Sequence, residues 1–433
     1  MSHRKIPTAK LSRATKTAVT TAHIGLKHAA HVSKKPFSTK QQNAQRKAMH
    51  EQDVGKILIN TLMQLRGTAL KIAQMMSMEL DMLPDSIRIE LAKACSEVTP
   101  LNRAHIRKVF IEEFKQAPEK KFKQFNANAF AAASLGQVHQ AQIETKTKLA
   151  IKIQYPGIAA SIQSDMKLVR GIMKSLSFST SFLPRYDIID AVLDKIHEQL
   201  EREIDYQLEA DNTRWFAQHL TIPNVHVPNV YPEYSSTKVL AMQYLEGDHL
   251  TQWLKKNPDQ QQRNKMGQLL FDLFCFQLHE LKTLHADPHP GNFIFCENNT
   301  IALIDFGCIH KLHPDFPANV IRLFSRDADQ LYQIYRDLGI ISSSLTLEQY
   351  QQEFFPVIEE MYVWMTAPFQ EEVYDFSKIQ PLPKKPLSQM KNVMKHINDM
   401  QQDQMYFDRS YFGLLNMLRK MQAKINTSGL LLK

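Results

Sequence analysis

Two short polar motifs in the second half of the chain constrain its fold more than any other feature. The first, from His285 to Asn292, reads His-Ala-Asp-Pro-His-Pro-Gly-Asn, and the second, from Leu303 to Gly307, reads Leu-Ile-Asp-Phe-Gly. Short apolar runs between them predict two strands, around 292–295 and 301–304, joined by a turn. Such a hairpin would bring Asn292 and Asp305 to the same cleft.

The two motifs match the catalytic loop H-x-D-x-x-x-x-N and the D-F-G segment of kinase-like folds. Phosphoryl transfer needs an oxygen acceptor beside the attacking group and oxygen ligands for a magnesium ion between the phosphates. Asp287 could supply the acceptor, as a base or by orienting the attacking group. Asn292 and Asp305 could supply the ligands, because Mg²⁺ prefers hard oxygen donors and takes only one or two side chains. The motifs therefore predict binding of ATP, or ADP, with Mg²⁺.

A transition-metal site is the competing interpretation of the same loop, because His285, Asp287 and His289 are all potential ligands. A metallohydrolase would need further His or Asp ligands in comparable motifs, and the sequence offers none. We therefore favour the nucleotide site.

An upstream lysine fits the same chemistry. Apolar and polar residues alternate from Leu149 to Gln154, which predicts a strand whose oily face lies opposite Lys152. Such a lysine is most often a solvated edge charge. Here an alanine-rich turn precedes it by one strand, and in kinase-like folds that turn covers the phosphates that the lysine contacts. We therefore predict nucleotide-binding roles for Ala131, Ala132, Ala133, Ser134 and Lys152.

The acidic partner of Lys152 should come from a long helix, which we predict from Ile188 to about Leu220. At about 100° per residue, Asp205 and Glu209 share a face of this helix, while Glu203 points the opposite way. If the run stays helical, one carboxylate can pair with Lys152 and the other needs a different cation. An isolated stretch of this kind would more often be a solvated acidic face.

A candidate for the second cation lies nearer the N-terminus. Lys71 and Gln74 are one turn apart in an otherwise apolar helical segment, so their side chains emerge on one side. An ordinary surface pair is the simplest interpretation of this pattern, and a partner for the acidic helix is the alternative.

The net charge of +9 is concentrated at the N-terminus. Residues 1–50 hold eleven of the 53 lysines and arginines and none of the 44 acidic residues, so the rest of the chain is near neutral. A nucleic-acid enzyme would spread positive charge over its folded surface, so we expect no nucleic-acid partner. The arm at 1–49 suits an anionic membrane surface, a mitochondrial transit peptide or a solvated tail.

Four cysteines without a C-x-x-C pair are too few for a disulfide framework. They indicate reduced thiols in an intracellular protein. Together with the basic arm, this leads us to expect a cytoplasmic protein that is peripherally associated with a membrane. If the arm is a transit peptide, the location is mitochondrial.

At this point the sequence resembles the UbiB/ADCK (AarF) family of atypical, protein-kinase-like proteins, over about residues 50–312. The matching motifs are K-x-G-Q at Lys71-Ile72-Ala73-Gln74, the alanine loop at 131–137, the strand lysine Lys152, E-x-D at Glu203-Ile204-Asp205, the helix glutamate Glu209, and the catalytic loop at 285–292. Ala73 stands where the family usually has glycine, and Gln243 stands where relatives more often carry an acid.

The resemblance implies an α+β, protein-kinase-like fold of two lobes, with a small mixed-sheet lobe and a large helical lobe. We expect the basic arm at 1–49, a helical K-x-G-Q extension at 50–120, the small lobe at 121–246 and the large lobe at 247–433. The resemblance also implies that Lys71 pairs with Glu203, that Glu209 pairs with Lys152, and that the K-x-G-Q helices pack over the active site.

The function that we expect is an atypical kinase or ATPase, whose pathway by family analogy is ubiquinone or related isoprenoid-lipid metabolism. If helices over the site block large substrates, a small-molecule or lipid acceptor, or water, is easier to admit than a protein. Two alternatives stay open: a nucleotide-gated lipid-binding scaffold without productive phosphoryl transfer, and a small-molecule phosphotransferase of the aminoglycoside or choline kinase type. The assembly could include a homodimer.

Overall fold

The computed structural model describes residues 68, 71–72, 75, 103–133, 135–179, 186–324, 330–381, 383, 393, 395–398 and 402–431. The arm at 1–49 lies outside these residues, as do Gln74, Ser134 and most of the expected extension at 50–120. The described residues form two compact units. The first runs to Tyr206 and includes Pro232–Ala241, and the second comprises Gln207–Tyr231 and the described residues from Met242 onward.

The helices of the described residues are α1 (Arg103–Phe114), α2 (Pro118–Lys121), α3 (Ile158–Ser179), α4 (Tyr186–Glu203), α5 (Tyr206–His219), α6 (Leu250–Lys255), α7 (Gln260–Phe276), α8 (Phe316–Phe324), α9 (Leu331–Asp337), α10 (Leu347–Gln349), α11 (Phe355–Thr366) and α12 (Gln402–Met421). The strands are β1 (Gln124–Ala133), β2 (Gly136–Gln142), β3 (Lys148–Gln154), β4 (Val225–His226), β5 (Val239–Gln243), β6 (Thr283–His285), β7 (Phe293–Cys296), β8 (Thr300–Leu303), β9 (Ile309–Lys311), β10 (Val373–Asp375) and β11 (Lys424–Asn426).

The first unit is built on a four-stranded sheet with the order β1-β2-β3-β5. Strands β1 and β2 form an antiparallel hairpin, and β2 pairs with β3 without a break from Gly136↔Gln154 to Gln142↔Lys148. Strand β3 lies between the hydrogen-bonded strands β2 and β5, which makes it an inner strand, and its residues Leu149, Ile151 and Ile153 are fully buried. The strand predicted at 149–154 is therefore present, in the interior of the sheet rather than at its edge.

Helices α3 and α4 of the first unit pack through apolar side chains repeated every three or four residues. This cluster comprises Ile162, Met166, Val169, Ile172 and Met173 of α3 and Ile189, Leu193, Ile196 and Leu200 of α4. Ile72 and Met75, helical residues of the K-x-G-Q segment, are buried in the same cluster. A buried hydrogen bond from Thr68 to Asp165 adds a polar tie to α3.

The long helix predicted from Ile188 to about Leu220 is wrong as a single element. Helix α4 ends at Glu203 and α5 begins at Tyr206. The break is local: Asp205 N–H turns back to the Arg202 carbonyl at 3.0 Å, which tightens the last turn, and aspartate is favoured directly before a new helix. Because the two acidic segments lie on separate helices, their relative direction does not follow from one helical repeat.

The second unit has one large apolar core under α7 and α12. Asp259 caps α7: its side chain accepts from Gln262 N–H at 2.7 Å, while the Gln262 side chain accepts from Asp259 N–H at 3.1 Å. From α12, the rings of Phe407 and Tyr411 and the side chains of Leu414 and Leu418 enter this core.

Three small sheets complete the second unit: β4-β8-β7, β6-β9 and β10-β11. Strand β4 pairs in parallel with β8, and Phe216 of α5 belongs to the large core. For this reason α5 and β4, which we expected in the small lobe, group with the second unit. Cys275, Cys296 and Cys308 are free thiols. Across the described helices, none combines the length and apolarity needed to cross a bilayer.

Candidate active site

The segment His285–Asn292 forms a tight loop at the end of β6. The side chain of Asn292 closes it, because Asn292 Nδ2 donates to Asp287 Oδ2 at 2.7 Å and to the Asp287 carbonyl at 3.1 Å. Since the amide nitrogen is used inside the loop, Oδ1 is the atom through which Asn292 could bind a cation. Asp287 and Asn292 therefore lie side by side, as the proposed roles require.

The hairpin between the two motifs is present as predicted. Strand β7 begins directly after Asn292, and Phe293 pairs with Leu303 of β8. The chain then continues into Asp305, and Ile304 N–H donates to the Asn292 carbonyl at 3.1 Å. Asn292 and Asp305 are therefore at the same end of one hairpin. Their oxygens form the hard donor set that suits Mg²⁺ better than a soft metal.

The two histidines of the loop have structural contacts of their own. His285 Nε2 donates to the Asp305 carbonyl, and His289 Nδ1 accepts from Gly291 N–H at 3.0 Å. The first bond joins the start of the catalytic loop to the D-F-G segment. Within the described ranges, no group of three or more His, Cys, Asp or Glu side chains is arranged to hold a metal.

The D-F-G phenylalanine anchors this segment to α5. Phe306 is fully buried, with its ring 5.0 Å from that of Phe216, and its carbonyl accepts from Asn212 Nδ2 at 3.0 Å. The same helix carries Glu209, which is 2% exposed. A carboxylate buried to this degree is stable only when it is paired or hydrogen-bonded. The pairing of Glu209 with Lys152 stays a prediction.

Sequence reasoning missed a cation beside Asp287. Arg409 of α12 donates from Nη2 to Asp287 Oδ1 at 3.1 Å, so both carboxylate oxygens of Asp287 have donors. Residues 313–433 contain no recognisable motif. No local signal singles out Arg409, because it lies on an amphipathic helix among other polar residues and contacts a residue 122 positions away.

Lys152 is not the solvated edge charge that a strand lysine most often is, and its role in nucleotide binding stays a prediction. Its side chain is 7% exposed rather than solvated, and its Nζ lies 5.1 Å from the centre of the Tyr206 ring. The ring face is negative and attracts the ammonium group, which lessens the cost of its burial. The alternation of oily and polar residues could not reveal this, because it does not indicate what covers the polar face.

The alanine-rich segment is mostly strand. Ala131, Ala132 and Ala133 end β1, and Ala133 pairs with Gly136 at the start of β2. Position 136 needs a glycine, because neighbouring atoms leave no room for a side chain. A Cβ added there would lie 2.4 Å from the Ile153 carbonyl oxygen and 2.7 Å from Tyr206 Oη. The hairpin tip is thus packed directly against β3, one residue from Lys152.

The K-x-G-Q and E-x-D motifs meet through one ion pair. Lys71 Nζ lies 3.1 Å from Glu203 Oε1, with the two side chains 25% and 22% exposed. The geometry agrees with the pairing that the resemblance implied. Asp205 is exposed at the break between α4 and α5, and Gln74 lies outside the described residues. The functional roles of all four residues stay predictions.

A match to a known protein family identifies the class of protein to which the chain belongs. The ABC1 atypical kinase-like domain matches residues 93–334, more than half of the chain. The chain therefore belongs to this family, which includes the UbiB/ADCK proteins, and its predicted α+β, protein-kinase-like fold is confirmed.

Individual relatives cover most of the chain. The rat atypical kinase COQ8B, mitochondrial, is 31% identical over 350 residues, which is 78% of this chain and 65% of the relative. The mitochondrial atypical kinase COQ8 of Saccharomyces cerevisiae is 26% identical over 78% of this chain and 67% of its own length. The chloroplastic protein ACTIVITY OF BC1 COMPLEX KINASE 8 of Arabidopsis thaliana is 29% identical, and the chain spans only 42% of its length.

A solved structure agrees with the fold. The complex of Rv3197 with erythromycin from Mycobacterium tuberculosis matches with a TM-score of 0.61 at 23% sequence identity. The superposition covers 90% of this chain and 97% of the Rv3197 chain. At this level of identity the match bears on the fold alone.

Proposed function

We propose that this protein is an atypical kinase or ATPase that binds ATP, or ADP, with Mg²⁺. The observation that carries the proposal is the junction of catalytic loop and hairpin, where Asn292 is hydrogen-bonded to Asp287 at 2.7 Å and lies at the same hairpin end as Asp305. This is the arrangement of proton acceptor and oxygen ligands that phosphoryl transfer needs.

Each residue of the site has a definite task. Asn292 and Asp305 would hold Mg²⁺, which neutralises charge on the phosphates when it is bound. Asp287 would accept a proton from the attacking hydroxyl or water, or orient it. Lys152 would bind the phosphates, and Glu209 would orient Lys152. Ala131, Ala132, Ala133 and Ser134 would cover the phosphates.

The K-x-G-Q and E-x-D residues bear on the acceptor. Lys71 is held by Glu203, and the buried Ile72 and Met75 fix the same segment on the core of α3 and α4. We propose that Lys71, Gln74, Glu203 and Asp205 belong to a cover that limits access to small molecules, lipids or water. A protein acceptor would need the cover to open.

The pathway that we propose is the metabolism of ubiquinone-type isoprenoid lipids, on the analogy of the COQ8 relatives. The names of the COQ8 relatives place them in mitochondria, and the name of the Arabidopsis relative places it in chloroplasts. We propose a peripheral membrane association through the basic arm, which has eleven Lys or Arg among residues 1–50 and no acidic residue.

A second candidate function is a nucleotide-gated lipid-binding scaffold. The observation that favours it is the occupation of both Asp287 oxygens, by Arg409 and Asn292, because each oxygen that would receive the proton already accepts a hydrogen bond from the protein. Such a protein would bind nucleotide and change shape without transferring phosphate.

The deciding experiment compares the wild type with Asp305→Asn and Asp287→Asn. We expect Asp305→Asn to lose Mg-dependent nucleotide binding, and Asp287→Asn to retain it and lose ATP turnover. Equal binding and turnover in the wild type and Asp305→Asn would contradict the metal role. Binding without turnover in the wild type would favour the scaffold. Liposome co-sedimentation of the full chain and of a variant without residues 1–50 tests the arm.

A further inference from the structure

The segment that follows Asp305-Phe306-Gly307 is held by a carboxylate from α12. Asp403 Oδ1 lies 2.6 Å from His310 Nε2, and Asp403 Oδ2 accepts from His313 N–H at 2.8 Å. One side chain therefore bridges β9 and the turn after it. Asp403 stands in the first turn of α12, where the helix dipole also favours a negative charge.

The histidine in this contact is fixed on two sides. Since a carboxylate only accepts, His310 Nε2 is the donor, and the ring stacks on Tyr406 with centroids 4.2 Å apart. The His310 and Asp403 side chains are 13% and 17% exposed. Because this pair is largely shielded from water, it constrains the strand more firmly than an exposed pair would.

Helix α12 also contacts the catalytic loop directly. Arg409, six residues after Asp403, donates to Asp287 at 3.1 Å. One turn further on, a Cβ built on Gly413 would lie 2.3 Å from Cβ and Cγ of Pro288, so the helix backbone rests on the loop itself. The same rigid element thus contacts both motifs.

The two motifs are joined on their other side by the β6–β9 ladder. His285, at the start of the catalytic loop, pairs with Ile309, and Ala286 N–H donates to the Cys308 carbonyl at 2.9 Å. A displacement of β9 would therefore move both the end of the D-F-G segment and the start of the loop. The contact with Asp403 opposes that displacement.

We propose that Asp403 is a positioning residue for phosphoryl transfer, which fixes Asp305 relative to Asp287 by holding His310 and His313 on α12. The inference rests on the proposed function. In many kinases the segment after D-F-G is ordered by a phosphate added to the chain, which then pairs with arginine. Here a built-in carboxylate supplies the negative charge, so this part of the segment is ordered without modification.

The test uses the full chain with Asp403→Asn, Asp403→Ala and Asp403→Glu. The matched control is Glu348→Gln, which removes a carboxylate from the first turn of α10, where its Oε1 accepts from Gln352 at 3.3 Å. For each variant, we would measure kcat and KM for ATP, the melting temperature, and amide hydrogen exchange over residues 305–313.

We expect Asp403→Ala to lower kcat by about 10- to 100-fold while KM for ATP changes by less than about two-fold, because the reacting groups lose alignment. Hydrogen exchange over 305–313 should become faster in this variant. Asp403→Asn should lower kcat less than Asp403→Ala does, because asparagine keeps one acceptor oxygen. Asp403→Glu should retain part of the wild-type kcat. The control should match the wild type in all readouts.

The inference would be overturned by unchanged exchange over 305–313 in Asp403→Ala, or by faster exchange with unchanged kcat. A fall in kcat that only follows loss of folded protein, as judged by the melting temperature, would do the same. If the wild type turns over no ATP, the proposed function fails instead, and the exchange data alone then decide whether Asp403 holds the segment.

Discussion

Lys71 and Glu203 form an ion pair across 3.1 Å that ties the K-x-G-Q segment to the last residue of α4. Each single charge reversal, Lys71→Glu or Glu203→Lys, should lower the melting temperature because it places like charges together at a largely shielded position. The double reversal should restore most of the loss. Lys108→Glu is the control, because its i,i+4 pair with Glu112 is 3.8 Å long and highly exposed.

A second prediction concerns Arg409, whose guanidinium donates to Asp287. Arg409→Ala should reduce ATP turnover by about 10- to 100-fold, with nucleotide affinity nearly unchanged, because the loop carboxylate loses one of its two orienting donors. Arg409→Lys should recover part of the turnover. The control is Arg419→Ala on the same helix, whose partner is Asn416 at 3.2 Å. Higher turnover in Arg409→Ala would instead identify the pair as inhibitory.

Two glycines of the first unit, Gly136 in β2 and Gly171 in α3, have opposite expectations. Gly136→Ala should destabilise the fold by about 1–3 kcal/mol, because its Cβ would meet the Ile153 carbonyl oxygen at 2.4 Å. Gly171, inside α3, has open space around a built Cβ, so Gly171→Ala should stabilise by about 0.5–1 kcal/mol. Thermal or urea unfolding measures both, and a destabilised Gly171→Ala would contradict the helix environment described here.

Asp408, next to Arg409 on α12, predicts a dependence of stability on pH. Burial raises the pKa of this carboxyl to about 7, and Gln404 donates to it at 2.7 Å, while Tyr335 lies close enough to interact with its charge. The native state therefore binds its proton more tightly than the unfolded state. The resulting stabilisation is complete below about pH 4 and is lost as the pH rises through 7.

Asp408→Asn removes this titration. The difference in melting temperature between the variant and the wild type should therefore grow in favour of the variant from pH 5 to pH 8. Asp337→Asn is the control, because Arg322 lowers the pKa of that exposed carboxyl and its removal brings no gain at high pH. A difference for Asp408→Asn that does not vary with pH would contradict the prediction.

Local patterns predicted the parts of the site that are close in sequence. The hairpin between Asn292 and Asp305 follows from two apolar runs and a turn, and the loop around Asp287 follows from residue types at fixed spacing. The strand at 149–154 likewise follows from the alternation of side chains along it. In each case the residues that make the structure are neighbours along the chain.

The contacts that were missed join distant segments. Arg409 contacts Asp287 from 122 positions away, and Asp403 contacts His310 from 93 positions away. An amphipathic helix pattern does not indicate which loop the polar side of the helix faces. Burial of Lys152 escaped notice because the ring that covers it belongs to Tyr206, beyond the helix break at Asp205. The break itself arises from the tightened turn between Arg202 and Asp205. A helical pattern that continues through both helices does not indicate such a turn.

The position of α12 has a consequence for synthesis of the chain. Ribosomes build the catalytic loop well over a hundred residues before Gly413, against which Pro288 packs. A nascent polypeptide therefore holds every motif needed for chemistry while the support under its loop is still untranslated. The catalytic loop can therefore reach its final packing only after α12 has been synthesised.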